Sequence, residues 1–312
     1  MSDIKLFKLS EAGVVELPGS AMQVEKSLQT LFEANLEALL GIRFLATEHS
    51  TGPVHGGRID TLGLDEDNSP VIIEYKRAVN ENVINQGLFY LDWLMDHRKE
   101  FQWMVMEHMG ADIAKMVDWS APRLVCIAGD FTRYDGYAVK QIPRNIELIR
   151  YRRFGEELLA LELVHAPKTA SLTPKLPAAQ VAGEAPGDDI DPYATRTQSY
   201  RLSQASAAQR DIYDALCQFL VGLGDDVQVK ELKHYTAFKR IKNFACLQIY
   251  PQAKSILIII RVEPSNVEFE EGFSRDVTNI GHHGSGNVEV SIKSMAEFEK
   301  AQPLLRLAYE NG

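Results

Sequence analysis

The run from Gly56 to Lys76, GGRIDTLGLDEDNSPVIIEYK, constrains this chain more than any other stretch. Arg58 to Leu64 and Val71 to Lys76 are apolar and β-branched enough to read as two strands. Between them, Asp65-Glu66-Asp67-Asn68-Ser69-Pro70 is dense in turn formers, so the spacing predicts a β-hairpin. Side chains alternate across a strand, which puts Glu74 and Lys76 on one face and Tyr75 on the other. Pairing the two strands can bring Asp60 beside Glu74, with the Lys76 ammonium next to both carboxylates.

Carboxylate and water oxygens suit a hard cation such as Mg²⁺ or Mn²⁺. A lysine beside that cation can orient or deprotonate a water, and the set matches metal-assisted hydrolysis of a phosphodiester. The plain alternative is a solvated strand face on which Lys76 neutralises the two acids. Asp60, Glu74 and Lys76 resemble the core pattern of the PD-(D/E)XK nuclease superfamily. The wording GGRID…VIIEYKR is similar to the branch that includes the NucS (EndoMS) mismatch endonucleases. Thr61 departs from that pattern, which usually has an apolar residue after the aspartate, and could loosen the strand without moving the carboxylate.

The resemblance extends over roughly residues 1–165 and implies a restriction-endonuclease-like α/β domain with a mixed sheet flanked by helices. It also implies a Mg²⁺- or Mn²⁺-dependent DNA endonuclease, acting in DNA repair or in defence against foreign DNA. Asp60 and Glu74 then bind the metal, and Lys76 positions the water. Early helices of such nucleases often offer a glutamate in a phrase like Glu25-Lys26-Ser27-Leu28-Gln29, which makes Glu25 a further metal ligand and Glu33 its substitute. Gln86 and Tyr90 match the Gln-x-x-x-Tyr of RecB-like members, where the pair supports the active site and the DNA backbone. Read from spacing alone, they lie at i and i+4 on a helix, and Gln86 can instead cap the hydroxyl of a core tyrosine.

Around the hairpin, residues 4–16 suggest a strand pair, and residues 24–40 one helix whose Glu25, Gln29 and Glu33 form a polar stripe. A strand over 42–48 leads into a Gly-rich loop in which His55 can meet substrate, and the paired Gly56-Gly57 lets backbone approach a phosphate. Helices follow over 81–95 and 93–119, the second with Phe101, Met104, Val105, Met109, Ile113 and Met116 as its buried stripe. Strands are expected over 122–131, 146–151 and 158–164. Arg77, and Arg150 with Arg152 on one strand face, are candidate phosphate contacts. For Arg150 and Arg152 the alternative is an ion-pair network with Glu147, Glu156 and Glu157.

Residues 166–206 hold five prolines, many Ala, Ser and Thr, and no hydrophobic period, and are expected to be a linker. Asp188, Asp189 and Asp191 could chelate a cation there, or simply be solvated. Residues 207–312 then form a smaller α+β domain: a helix, an antiparallel meander and a closing helix. TAFKRIKNFACLQI and VTNIGHHGSGNVEVSI resemble a domain of unknown function found behind such nucleases. Lys239, Arg240 and Lys242 lie among Tyr235, Phe238 and Phe244, a candidate nucleic-acid contact whose alternative is a charged face over a strand core. His282 and His283 lack the spacing of a metal site.

The net charge of −10 argues against a general nucleic-acid coat, though a local patch can still bind DNA. The charged start MSDIKLFKLSE, the absence of a long apolar run and three isolated cysteines suggest a cytoplasmic protein with reduced thiols and no membrane partner. A homodimer, and a protein partner held by residues 207–312, are open. So is a different class of function: a DNA- or protein-binding module on a nuclease fold with little catalysis. Limited proteolysis should cut first within residues 166–206 and release a fragment of about 165 residues that folds alone. First cleavage inside 122–164 would overturn that boundary.

Overall fold

A computed structural model of the chain describes residues 4–11, 13–22, 25–76, 83–167 and 197–312. Two compact units divide at Pro167. The first opens with an antiparallel pair, β1 (Leu6–Ser10) and β2 (Gly13–Leu17), followed by the short β3 (Gly19–Ser20). Next come α1 (Glu25–Ala34), α2 (Leu36–Leu40), β4 (Ile42–Ser50), the single turn α3 (Gly52–His55), β5 (Arg58–Asp65) and β6 (Pro70–Lys76). Then follow α4 (Val83–Asp96), α5 (Arg98–Met109), α6 (Ala111–Lys115), β7 (Arg123–Ala128), α7 (Arg133–Gln141), β8 (Asn145–Phe154) and β9 (Leu158–His165).

Among the described residues these strands make a seven-stranded mixed sheet in the order β3-β8-β7-β6-β5-β4, with β9 on β8. β4, β5 and β6 are antiparallel, whereas β6, β7 and β8 run parallel through helical crossovers. The mixed α/β architecture expected from the hairpin and its flanking patterns is therefore present. The hairpin turn is built by Asp65, whose Oδ1 accepts from the backbone N–H groups of Asp67 (2.9 Å) and Ser69 (2.7 Å). Asn68 takes the left-handed φ of 62° that such turns tolerate in asparagine. One face of the sheet is closed by α4, which approaches β7 so tightly that a Cβ at Gly87 would meet Leu124 at 2.4 Å.

Below the turn lies a buried ion cluster. Arg123 donates from Nε and Nη2 to the two carboxylate oxygens of Glu147, both at 2.8 Å, and from Nη1 to Asp65 Oδ2 at 3.1 Å. It thereby ties the hairpin turn to the starts of β7 and β8.

Two helix expectations need correction. The span 24–40 is two helices, because Asn35 interrupts it and its side chain bonds back to Leu31 O. The span 93–119 also breaks, at His97 and again at Gly110. Met116 consequently leaves the buried stripe and is 52% exposed. Thr61, the departure that could loosen β5, is fully buried.

The second unit consists of α8 (Gln198–Gln204), α9 (Ala207–Val221), β10 (Gln228–Glu231), β11 (Thr236–Lys239), β12 (Asn243–Tyr250), β13 (Ser255–Ile260), β14 (Ser274–Asp276), β15 (Val288–Ile292) and α10 (Met295–Glu310). Its antiparallel sheet runs β10-β11-β12-β13-β15-β14, and α9 and α10 share a core with one sheet face. The unit starts ahead of Ala207, since Gln198 is buried and binds the β12 backbone at Leu247 and Ile249. Among the described residues, no helix is long and apolar enough to cross a membrane.

Removing one member of a buried charge cluster leaves the others uncompensated. Arg123→Ala should lower stability by about 3–5 kcal/mol, read as a fall in the urea midpoint of the full chain. An unchanged midpoint would mean that the cluster contributes nothing net.

Candidate active site

Asp60 lies near the start of β5, and Glu74 and Lys76 near the end of β6, at the end of the hairpin away from its turn. The two acids are locked by backbone amides of the paired strands: Asp60 N–H donates to Glu74 Oε1 at 3.2 Å, and Tyr75 N–H donates to Asp60 Oδ2 at 3.0 Å. Glu74 is fully buried, and its other oxygen, Oε2, has no partner. Burial, reinforced by the Asp60 charge, pushes the Glu74 carboxyl up to about 9. Burial likewise raises the Asp60 carboxyl above the ordinary aspartate range.

Lys76 reaches back to α1, where Nζ meets Glu25 Oε1 at 3.3 Å. Burial works against the ammonium, yet Glu25 and Asp60 outweigh it and the Lys76 pKa rises. The structure thus brings Asp60, Glu74, Lys76 and Glu25 to one end of the hairpin. Among the described residues no three His, Cys, Asp or Glu side chains form a metal-holding group, so the two strand carboxylates stand as a pair with Glu25 on Lys76.

Gln86 and Tyr90 on α4 also converge on this end. Tyr90 is buried, accepts at its hydroxyl from Arg58 N–H at 3.1 Å and from Gln86 Nε2 at 3.4 Å, and so holds the first residue of β5. The preceding loop is closed by Thr51, whose Oγ1 accepts from Gly57 N–H at 2.9 Å. A cleft of about 610 Å³ opens there, lined by Ser50, Gly52, Pro53, Gly56, Gly57 and Arg58. His55 packs on Phe89, ring centroids 5.2 Å apart.

Several supports have roles not expected from sequence, among them Glu33, expected as the substitute for Glu25 at a metal but bonded instead to Thr61 and Gln29. Gln29 Nε2 lies 2.8 Å from Asp60 O and 3.1 Å from Thr47 Oγ1, fixing the strand that carries the aspartate. Glu33 accepts from Thr61 Oγ1 at 2.6 Å and from Gln29 at 3.0 Å. Glu33 therefore serves the opposite face of β5 from the acid pair, and the unusual Thr61 is its partner. Glu48 receives Lys26 Nζ at 2.8 Å and Arg58 Nε at 2.7 Å, and the Lys26 hydrogen bond in particular lowers its pKa. The polar stripe of α1 and the polar Thr61 inside an apolar strand were the available signals; Glu48 offered none.

The basic candidates fare differently. Arg77 lies outside the described residues, as do Asp188, Asp189 and Asp191. Arg150 is not available to phosphate: its side chain is 3% exposed and is held by Asp130 at 2.9 Å and by Glu162, from Nε at 3.0 Å. Arg152, two residues on, is half-buried. In the second unit Lys239 is buried, while Arg240 meets Asp226 at 2.7 Å and lies over the Tyr309 ring. Lys242 is half-buried. Tyr235, Phe238 and Phe244 are buried core residues, so they offer no stacking surface.

Residues 199–312 match the family described as "Domain of unknown function (DUF5655)". Over 310 residues the chain is 27% identical to an uncharacterized protein of Haemophilus influenzae, covering 99% of this chain and all of that one. Two solved structures are similar over part of the chain. One is a repair endonuclease from Pyrococcus abyssi, 19% identical over 44% of this chain and 51% of that one, with a TM-score of 0.27. The other is an EndoMS–dsDNA complex, 16% identical over 47% of this chain and 64% of that one, with a TM-score of 0.24. The chain thus spans about half the length of the first and less than two thirds of the second.

Glu74 is neutral when folded up to about pH 9, whereas the unfolded glutamate ionises near 4.5. A raised folded pKa contributes stability below the unfolded value and loses it as pH rises towards the folded one. Glu74→Gln should therefore stabilise the metal-free chain progressively from pH 4.5 upwards, by on the order of 5 kcal/mol at pH 8. Urea melts of both proteins in EDTA at pH 5 and pH 8 check this. An equal difference at the two pH values would place the Glu74 carboxyl in its ordinary range.

Proposed function

We propose that the chain is a divalent-metal-dependent endonuclease that hydrolyses DNA phosphodiesters at the Asp60–Glu74–Lys76 end of the hairpin. The observation that carries this reading is the buried, unpartnered Glu74 Oε2 beside Asp60. An oxygen so placed needs either a proton or a cation, and two hard carboxylates suit Mg²⁺ or Mn²⁺. When bound there, the cation would stabilise negative charge on the phosphate and on the leaving oxygen.

Asp60 and Glu74 would hold the metal, with Glu25 assisting directly or through water. Lys76 stays charged because Glu25 and Asp60 support its ammonium, which favours donating hydrogen bonds to a water or phosphate oxygen over acting as a base. Tyr90 and Gln86 would keep the start of β5 in register with β6, so that the two acids stay aligned. The cleft beside Arg58, two residues from Asp60, offers a place for the strand being cut. The choice of DNA rests on the resemblance carried by Asp60, Glu74 and Lys76.

Incubation of the full chain with plasmid and with single-stranded, duplex, branched and mismatched oligonucleotides should give cleavage in Mg²⁺ or Mn²⁺ and none in EDTA. Asp60→Ala and Glu74→Ala should reduce cleavage to background. Lys76→Ala should slow it about 100-fold, as expected for losing a preorganised charge at the reacting group. Cutting that persists in EDTA, or in both carboxylate variants, would refute the metal mechanism.

A further inference from the structure

The second unit carries a cluster of basic side chains that phosphodiester cleavage does not use. Strand alternation puts Cys246, Gln248 and Tyr250 of β12 on the sheet face opposite the α9–α10 core. The loop Gly281-His282-His283-Gly284-Ser285-Gly286 lies against that face. Gly284 has a left-handed φ of 90°, and a Cβ on it would come within 2.5 Å of Cys246 Cβ, so no larger residue lets the loop lie so close. Gln248 fixes the loop by donating from Nε2 to His283 O at 2.9 Å, and its own Oε1 accepts from Tyr250 OH at 3.0 Å. Over the Tyr250 ring, at 4.7 Å, sits the guanidinium of Arg201 from α8. The His283 ring stacks on His234, with centroids 4.5 Å apart and planes 17° from parallel.

Seven buried side-chain polar atoms among the described residues lack a partner, and three of them fall here: Arg201 Nη1, His282 Nδ1 and Ser285 Oγ. A buried polar atom left unsatisfied costs about 1–3 kcal/mol; Arg201 Nη1 can only donate, and Ser285 Oγ and one tautomer of His282 Nδ1 can donate beside it, so together they suit an acceptor. The electrostatics have the same sign. Burial, and then the charges of His234, Arg201 and His282, hold the His283 pKa below its ordinary value. The Arg201 guanidinium carries a permanent positive charge that an anion would offset. Among the described residues they make no metal-ligand group.

We propose that Arg201, His234, His282, His283 and Ser285 form a binding site for a phosphate monoester, the terminal phosphate of a small nucleotide or of a nucleic-acid strand. A tetrahedral dianion presents several acceptor oxygens at once, which suits a guanidinium fork, imidazole N–H groups and a hydroxyl. Each of these donors is short-reached or fixed, by the Tyr250 ring, the His234 stack or the glycine loop. The assignment does not rest on nuclease activity.

The test uses the full chain with ¹⁵N-labelled histidine. It is titrated at constant ionic strength with inorganic phosphate, adenosine 5′-monophosphate, and a matched oligonucleotide bearing either a 5′-phosphate or a 5′-hydroxyl, with chloride as control. Inorganic phosphate should shift the His282 and His283 signals saturably. Arg201→Gln should weaken that binding about tenfold, the loss expected for one charge-assisted hydrogen bond. Tighter binding of the monophosphate than of phosphate assigns a nucleotide, and preference for the 5′-phosphorylated strand assigns a strand end. The double change His282→Gln with His283→Gln, followed by isothermal calorimetry, serves as the second variant, with the thermal midpoint confirming that each protein is folded. Shifts no larger than those in chloride, or phosphate affinity unchanged in both folded variants, would overturn the proposal.

Discussion

The candidate site depends on a contact at the opposite end of the hairpin. Arg123, clamped between Asp65 and Glu147, fixes the turn of the β5–β6 hairpin against the parallel strands beside it. Strand register is a discrete choice, and a slip of one residue sends every side chain to the other face. The Asp65 turn and the Arg123 clamp leave one register, with Thr61 opposite Ile73, and in that register Asp60 reaches the Tyr75 amide while Glu74 reaches the Asp60 amide. The exchange satisfies two backbone amides and two carboxylate oxygens and leaves Glu74 Oε2 buried without a partner. That remainder gives the site its chemical character, since a neutral Glu74 is the metal-free solution and a cation is the other.

Much of this was legible in the residues. Turn formers bounded by apolar runs specified the hairpin, and alternation put Glu74 and Lys76 on one face. The Gln86–Tyr90 spacing predicted a pair, and the hydrogen bond between them exists in the core position that spacing alone allowed. What stayed hidden was the identity of distant partners. Arg150 on its strand is compatible with a phosphate or a carboxylate; Asp130 and Glu162, 20 and 12 positions away, decide for the carboxylates. The helix break at Asn35 was hidden for a related reason. A side-chain bond to the Leu31 carbonyl competes with the helical ladder without disturbing hydrophobic periodicity.

The second unit shows the same limit from the other direction. Basic residues between aromatics in Lys239 to Phe244 resembled a binding strip, yet Phe238 and Phe244 face the α9–α10 core and Arg240 is neutralised by Asp226. The histidine loop offered no spacing rule, because its neighbours Arg201, His234 and Tyr250 come from three different elements. Periodicity reports which side of an element is apolar; it is silent on which polar groups from separate elements come to share a pocket.

The helix α1 is bonded to β5 twice from one face, by Gln29 at the Asp60 carbonyl and by Glu33 at the Thr61 hydroxyl, and a helical turn or more earlier Glu25 holds Lys76. Helix and strand therefore behave as one rigid strut. Eight residues from Glu25 to Glu33 correspond to about 12 Å along the axis, so the strut works as a ruler that sets where the glutamate meets the lysine. Such a ruler accepts exchange of the side chains facing solvent along its length. It does not accept a change of length, because one inserted or deleted residue turns Glu25 by about 100° and carries it off the face that Lys76 can reach.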